Sequence, residues 1–204
     1  GLTMPVNIAF VPNPGSQPLD AKYYVTELYG NIRVVTNDGT VMTYATGLLN
    51  YVPSGAFPGS GEQGVTGIAV DPITGDVFAS HLWSFGSQRS PRITRLTSLN
   101  GGLSSQSRQV ILDMQGETQG QSHQISCLEI VGNQLYCHMG DGFNASTACN
   151  LNSFRGKILR LNLDGSPVPS NPFYNGGSID SRDYVFAYGV RNPFGGSWRA
   201  SDGY

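Results

Sequence analysis

The sequence is short of charge. Only 12 Lys and Arg and 14 Asp and Glu occur in 204 residues, 13% charged in all. The formal net charge is −2 and no run of Lys or Arg stands out. A nucleic-acid surface needs clustered positive charge, so that partner is set aside. No apolar stretch approaches the roughly 18 residues of a membrane span, and no membrane span is expected. No Cys-x-x-Cys occurs, which argues against zinc and leaves no metal ligand to assign in this chain. The three cysteines, Cys127, Cys137 and Cys149, fit either one disulfide with an odd thiol left over or three free thiols. Helix signals are nearly absent. No secretory leader precedes Gly1, which reads as a processed or excised start and says little about location.

Glycine and tyrosine are plentiful, at 27 and 10 residues. The glycines follow no three-residue period, so the chain is not collagen-like. Low charge with many turn-formers suits an all-β protein. Asn144-Ala145-Ser146 is a glycosylation sequon of a kind common by chance.

An internal repeat organises the chain. Asn7-Ile8-Ala9-Phe10-Val11, Gly67-Ile68-Ala69-Val70-Asp71 and Cys127-Leu128-Glu129-Ile130-Val131 share an apolar pattern, with starts near 7, 67 and 127. A looser copy, Gly195-Gly196-Ser197-Trp198-Arg199, starts near 195 and breaks off at Gly203-Tyr204. Each of the first three copies is followed by a second apolar run (residues 23–26, 76–79 and 134–137) and a third (32–35, 92–96 and 157–161). Asn37-Asp38-Gly39 and Leu163-Asp164-Gly165 mark turns, because Asp-Gly supplies the positive φ of tight hairpins. Tandem units of three or four antiparallel strands read as propeller blades. A two-sheet sandwich is the alternative, and it does not explain the repeat. Propellers close with about four to eight blades, and residues 1–204 hold only about three to three and a half. The expected architecture is therefore the N-terminal part of a single all-β propeller domain. The remaining blades would come from the parent chain or a second chain. An open face would leave apolar surface in water.

Three segments carry a resemblance. They are Gly61-Glu62-Gln63-Gly64-Val65-Thr66-Gly67-Ile68-Ala69-Val70-Asp71-Pro72, the stretch from His123-Gln124 through Gly140-Asp141-Gly142 to residues 156–165, and Ala187-Tyr188-Gly189-Val190-Arg191-Asn192-Pro193-Phe194-Gly195. In this order and spacing the chain resembles the soluble quinoprotein glucose/sorbosone dehydrogenases. The resemblance implies a six-bladed propeller that oxidises an aldose or related sugar. Hydride passes to pyrroloquinoline quinone (PQQ), and electrons then pass to an external acceptor. It also implies calcium, with ligands expected beyond residue 204, and a periplasmic or extracellular location.

The same resemblance assigns roles. His123 matches the general base; an imidazole titrates near neutrality and suits removal of a hydroxyl proton. Taken alone, it reads more readily as a surface or capping histidine. Asp141 matches the carboxylate that orients the base, or is simply a turn residue between glycines. Arg191 and Asn192 match a cofactor-contacting pair, with Arg191 also placed to stabilise charge developing in hydride transfer. Glu62 stands where some members carry a glutamine that touches substrate or cofactor, with Gln63 one step away. A carboxylate there would repel an anionic cofactor unless paired, and the neighbouring glycines more readily suit a purely structural turn. Lys157 and Arg160 are expected to be solvated strand charges, His81 and His138 to be structural, and Trp83 and Trp198 to be packing residues or pocket walls.

The chain alone is expected to be an incomplete and inactive part of such an enzyme. The competing reading is a non-catalytic secreted propeller that binds a protein or carbohydrate. A third is a structural propeller module of a larger secreted protein.

Overall fold

The computed structural model describes residues 1–54, 60–199 and 201; the expected break at Gly203-Tyr204 lies outside them. Twelve strands form three four-stranded sheets. The first holds β1 (Pro5–Phe10), β2 (Ala21–Glu27), β3 (Asn31–Thr36) and β4 (Val41–Ala45). The second holds β5 (Val65–Val70), β6 (Val77–Phe85), β7 (Gln88–Thr97) and β8 (Ser107–Asp113). The third holds β9 (Ile125–Val131), β10 (Gln134–Met139), β11 (Lys157–Asn162) and β12 (Val185–Tyr188). Every sheet is an antiparallel meander in chain order. The first strands begin at Pro5, Val65 and Ile125, 60 residues apart, as the repeat predicts. The apolar runs of the sequence correspond to the first three strands of each sheet. The fourth strands β4, β8 and β12 carry weaker patterns and were not identified.

The sheets stack face to face, which buries both flanks of the middle one. Tyr24, Ile32 and Val34 pack against Ile68, Val77 and Leu96 in one core. Phe78, Leu82 and Ile93 pack against Leu135, Leu159 and Leu161 in the other. The first strands gather on one side, β5 against β1 and β2, and β9 against β5 and β6. Four-stranded meanders set around their first strands are the blades of a β-propeller; the chain contains three of them. On the flank away from the second blade, the first blade exposes Val6, Ile8 and Phe10 to 37%, 46% and 63%.

A repeated hydroxyl clasp joins the blades. Thr66 Oγ1 on β5 donates to Ile125 O of the third blade at 2.6 Å, and Ser126 Oγ on β9 donates to Pro193 O at 2.9 Å. One strand further out, Thr26 Oγ1 on β2 donates to Thr66 O at 3.1 Å and Ser80 Oγ on β6 to Ser126 O at 3.2 Å. Two glycines make room for this approach. A Cβ at Gly67 would lie 1.9 Å from Ser126 O, and one at Gly64 1.9 Å from Leu28 O. The looser copy at residues 195–199 forms no strand, but its lead-in is clasped at Pro193 as Ile125 is in the third blade.

One expectation changes, and one open alternative closes. Lys157 is fully buried, not solvated. Side chains alternate along a strand, so Lys157 shares the inner face of β11 with Leu159 and Leu161, while Arg160, an odd number of places away, shares the other. Arg160 donates to Asn171 Oδ1 at 2.6 Å and lies over the Phe186 ring. Of the two cysteine alternatives, the structure has three free thiols. Cys127 and Cys137 do sit on adjacent strands, but Cys137 pairs with Leu128. It therefore points to the face opposite Cys127. Burial pushes the Cys137 thiol up. Trp83 packs under the Arg92 guanidinium and Trp198 against Tyr136, as packing residues should.

Replacing Thr66 by valine keeps its shape and removes the clasp donor. It should lower stability by about 1–3 kcal/mol, because Ile125 O loses its donor; urea denaturation measures this. His81 is buried, with Nε2 2.9 Å from Thr94 Oγ1. Burial, more than any neighbour, lowers its pKa from 6.5 to about 4. Unfolding therefore takes up a proton between these pH values. The contribution is fully present above about pH 6.5 and is lost as pH falls toward 4, by up to roughly 3 kcal/mol. Denaturation midpoints across this range should fall more steeply for the native sequence than for His81→Gln.

Candidate active site

The candidate residues occupy the loops that lead into the inner strands. Gly61–Gly64 precedes β5, Ser122–Gln124 precedes β9, and Arg191–Asn192 precedes the clasped Pro193. His123 and Arg191 each stand two residues before a clasped carbonyl, at Ile125 and Pro193. The repeat thus brings residues 68 apart in sequence to adjacent blade mouths.

His123, Asp141, Phe143, Ala145 and Arg191 line one cleft of about 190 Å³. His123 Nδ1 lies 2.7 Å from Asp141 Oδ1, and both side chains are buried. A carboxylate accepts only, so Nδ1 carries the proton and donates. Nε2 is then the nitrogen with a lone pair, available to take a proton. Asp141 is itself fixed. Its Oδ1 also accepts from Phe143 N at 2.9 Å, and its own N–H donates to Arg191 O at 2.8 Å. Gly140 and Gly142 let the loop wrap His123: Gly142 N donates to His123 O at 3.0 Å, and a Cβ at Gly140 would lie 2.2 Å from that oxygen.

His123 has a φ of 59°, in the left-handed region that non-glycine residues rarely adopt. Two contacts hold it there. Glu62 Oε2 accepts from His123 N at 3.0 Å, with Oε1 taking the Ser122 hydroxyl at 3.1 Å. The Phe143 ring lies 5.0 Å from the imidazole. Neither contact was foreseen in detail; a lone Phe after Gly-Asp-Gly carries no pattern, and the structural alternative for Glu62 was a glycine-flanked turn, not a brace on the amide of His123.

The other assigned residues divide. Arg191 is exposed, and its guanidinium lies 6.0 Å from the Phe143 ring centre. No carboxylate pairs with it among the described residues. Asn192 Oδ1 is buried without a hydrogen-bond partner among the described residues. Glu62 lines a neighbouring cavity of about 430 Å³ along β5 and β9, with Gln124, Ser126 and Cys127. Its bonded partners are a hydroxyl and an amide, not a cation. Gln63 turns inward: Nε2 donates to Gln119 O and Gly120 O at 3.0 and 2.8 Å, and Oε1 accepts from Arg89. It braces the loop before His123.

The fold is a β-propeller, and one cleft holds a buried carboxylate–imidazole pair beside an exposed guanidinium. The sequence profile of the Glucose / Sorbosone dehydrogenase family matches residues 2–204, and the chain belongs to that family. Among solved structures, an oxidoreductase described as a glucose dehydrogenase from Thermus thermophilus is 29% identical with a TM-score of 0.78. The match covers 99% of this chain and 56% of that one. The PQQ-bound aldose sugar dehydrogenase of Streptomyces coelicolor is 26% identical, TM-score 0.69, over 94% of this chain and 52% of that one. The apo aldose sugar dehydrogenase of Escherichia coli, 18% identical with TM-score 0.71 over 94% and 52%, shares the fold. This chain thus spans little more than half the length of these relatives. A search of curated proteins gives no match.

Glu62→Ala should strip His123 N of its acceptor, with a loss of about 1–3 kcal/mol and faster hydrogen exchange at the His123 amide. Glu62→Gln keeps one acceptor oxygen and should exchange at close to the native rate. Equal rates in all three proteins would show that the carboxylate does not hold this backbone.

Proposed function

We propose that this chain is the N-terminal part of a six-bladed propeller enzyme that oxidises an aldose or related sugar with PQQ. The observation that carries the reading is the 2.7 Å His123–Asp141 bond beside Arg191 in one cleft. His123 Nε2 takes the proton of the sugar hydroxyl whose carbon loses hydride. Asp141 keeps the ring in the right tautomer and stabilises the imidazolium that forms.

The residues present fit PQQ. Arg191, without a carboxylate partner among the described residues, offers a cation to anionic groups in the bidentate geometry guanidinium allows, and the amide of Asn192, the next residue, can donate to an oxygen as well as accept. When bound, the quinone supplies the acceptor for the hydride. An external acceptor would be needed to take up the electrons. The described residues contain no cluster of three or more His, Cys, Asp or Glu for a metal. Calcium, with ligands beyond residue 204, and a periplasmic or extracellular location remain part of the proposal by family resemblance.

A second reading, a non-catalytic propeller that binds protein or carbohydrate, is favoured by one observation: the Glu62 carboxylate lines the neighbouring cavity with no cation paired to it among the described residues.

The test is to load the full-length polypeptide with PQQ and calcium and add aldoses. Bleaching of the oxidised quinone spectrum is expected, with dye-coupled turnover, and its absence would leave the binding reading. In the active protein His123→Ala should lower kcat about a hundredfold or more. The 204-residue chain, given the same additions, should not turn over.

A further inference from the structure

Lys157 opens β11 on its apolar face, fully out of solvent, at a position that strand alternation groups with Leu159 and Leu161. A buried ammonium loses its hydration and persists only when its donors are satisfied. Here carbonyls satisfy them. Nζ lies 2.9 Å from Thr147 O, 3.0 Å from Ala148 O and 2.6 Å from Arg155 O. Those are one partner for each of its three N–H bonds. No carboxylate forms an ion pair with it among the described residues. Burial lowers its pKa to about 8.

The three carbonyls belong to the loop between Asp141 and β11, and they connect to both walls of the cleft. Thr147 Oγ1 donates to Asn144 O at 2.7 Å and reaches Asp141 O at 3.4 Å. Ala148 O also accepts from Gly189 N at 3.0 Å, two residues before Arg191. Gly156 lets the strands close on this point, since a Cβ there would lie 2.5 Å from Ala148 Cα.

We infer that Lys157 is a positioning residue for His123: its ammonium gathers the 147–155 carbonyls, and through Thr147 this sets Asp141 against the imidazole. This rests on the reading of His123 as the proton acceptor, but its test needs neither sugar nor quinone.

The chain has only three histidines, His81, His123 and His138, so ring nitrogens can be assigned in a 15N-labelled sample. At a pH where the imidazole is neutral, the native His123 should show a single tautomer with the proton on Nδ1. In Lys157→Met, with the fold checked by circular dichroism and by unchanged His81 signals, the His123 15N shifts should move toward a mixture of both tautomers. Native His123 shifts in a folded Lys157→Met chain overturn the inference. If that variant does not fold, Thr147→Val decides. It leaves the ammonium in place and cuts the link to Asp141, so shifted His123 signals support the relay and native ones overturn it. A failure of sugar to bleach the quinone would instead count against the dehydrogenase reading, and leaves the tautomer result standing.

Discussion

The blades are locked to one another by hydroxyl groups set into an apolar interior. Side-chain packing between sheets is forgiving of small slips. A buried O–H pointing at a carbonyl of the next blade is not, because both groups lose their water and must find each other. Thr66 and Ser126 therefore fix the height of each inner strand against the next. The loops that enter those strands inherit that height. His123 and Arg191 meet in one cleft because each is carried two residues ahead of a clasped carbonyl. The chemistry at the mouth thus depends on a register set in the core.

The repeat made the scaffold legible. Three starts at 60-residue spacing, each trailed by two apolar runs, located the first three strands of every blade and the direction of the meander. The motifs placed His123, Asp141 and Arg191 in one site, and the structure brings them together. Finer matters were hidden for physical reasons. The left-handed backbone of His123 leaves no trace in composition, since nothing but its neighbours holds it there. Gln63 sits where a ligand contact was expected, yet its amide points inward, and no sequence pattern reports which way a polar side chain turns. Lys157 was misread because charge was weighed above position. Counting by twos along β11 would have placed it beside Leu159 and Leu161, and the paradox of a lysine there would itself have been the clue.

Glu62 shows how a departure from a family pattern can take on a different task. Its two oxygens serve Ser122 and the amide of His123, so the carboxylate acts as a backbone brace for a residue whose conformation costs about 1–3 kcal/mol to maintain. With Phe143 against the ring and Asp141 beneath it, the imidazole is held from three directions. Such over-determination fixes the orientation of the ring in the cleft.

The clasps also have a sense of direction. In three of the four, the hydroxyl belongs to the earlier blade and the carbonyl to the next inner strand; in the fourth, Ser126 reaches forward to Pro193, which follows its own blade. A blade leaving the ribosome can pair its own strands at once, since these contacts are local. It cannot finish its buried polar bonds until the following inner strand emerges. Assembly is thereby ordered in the sense of translation, each unit staying provisional until its successor arrives to seal it.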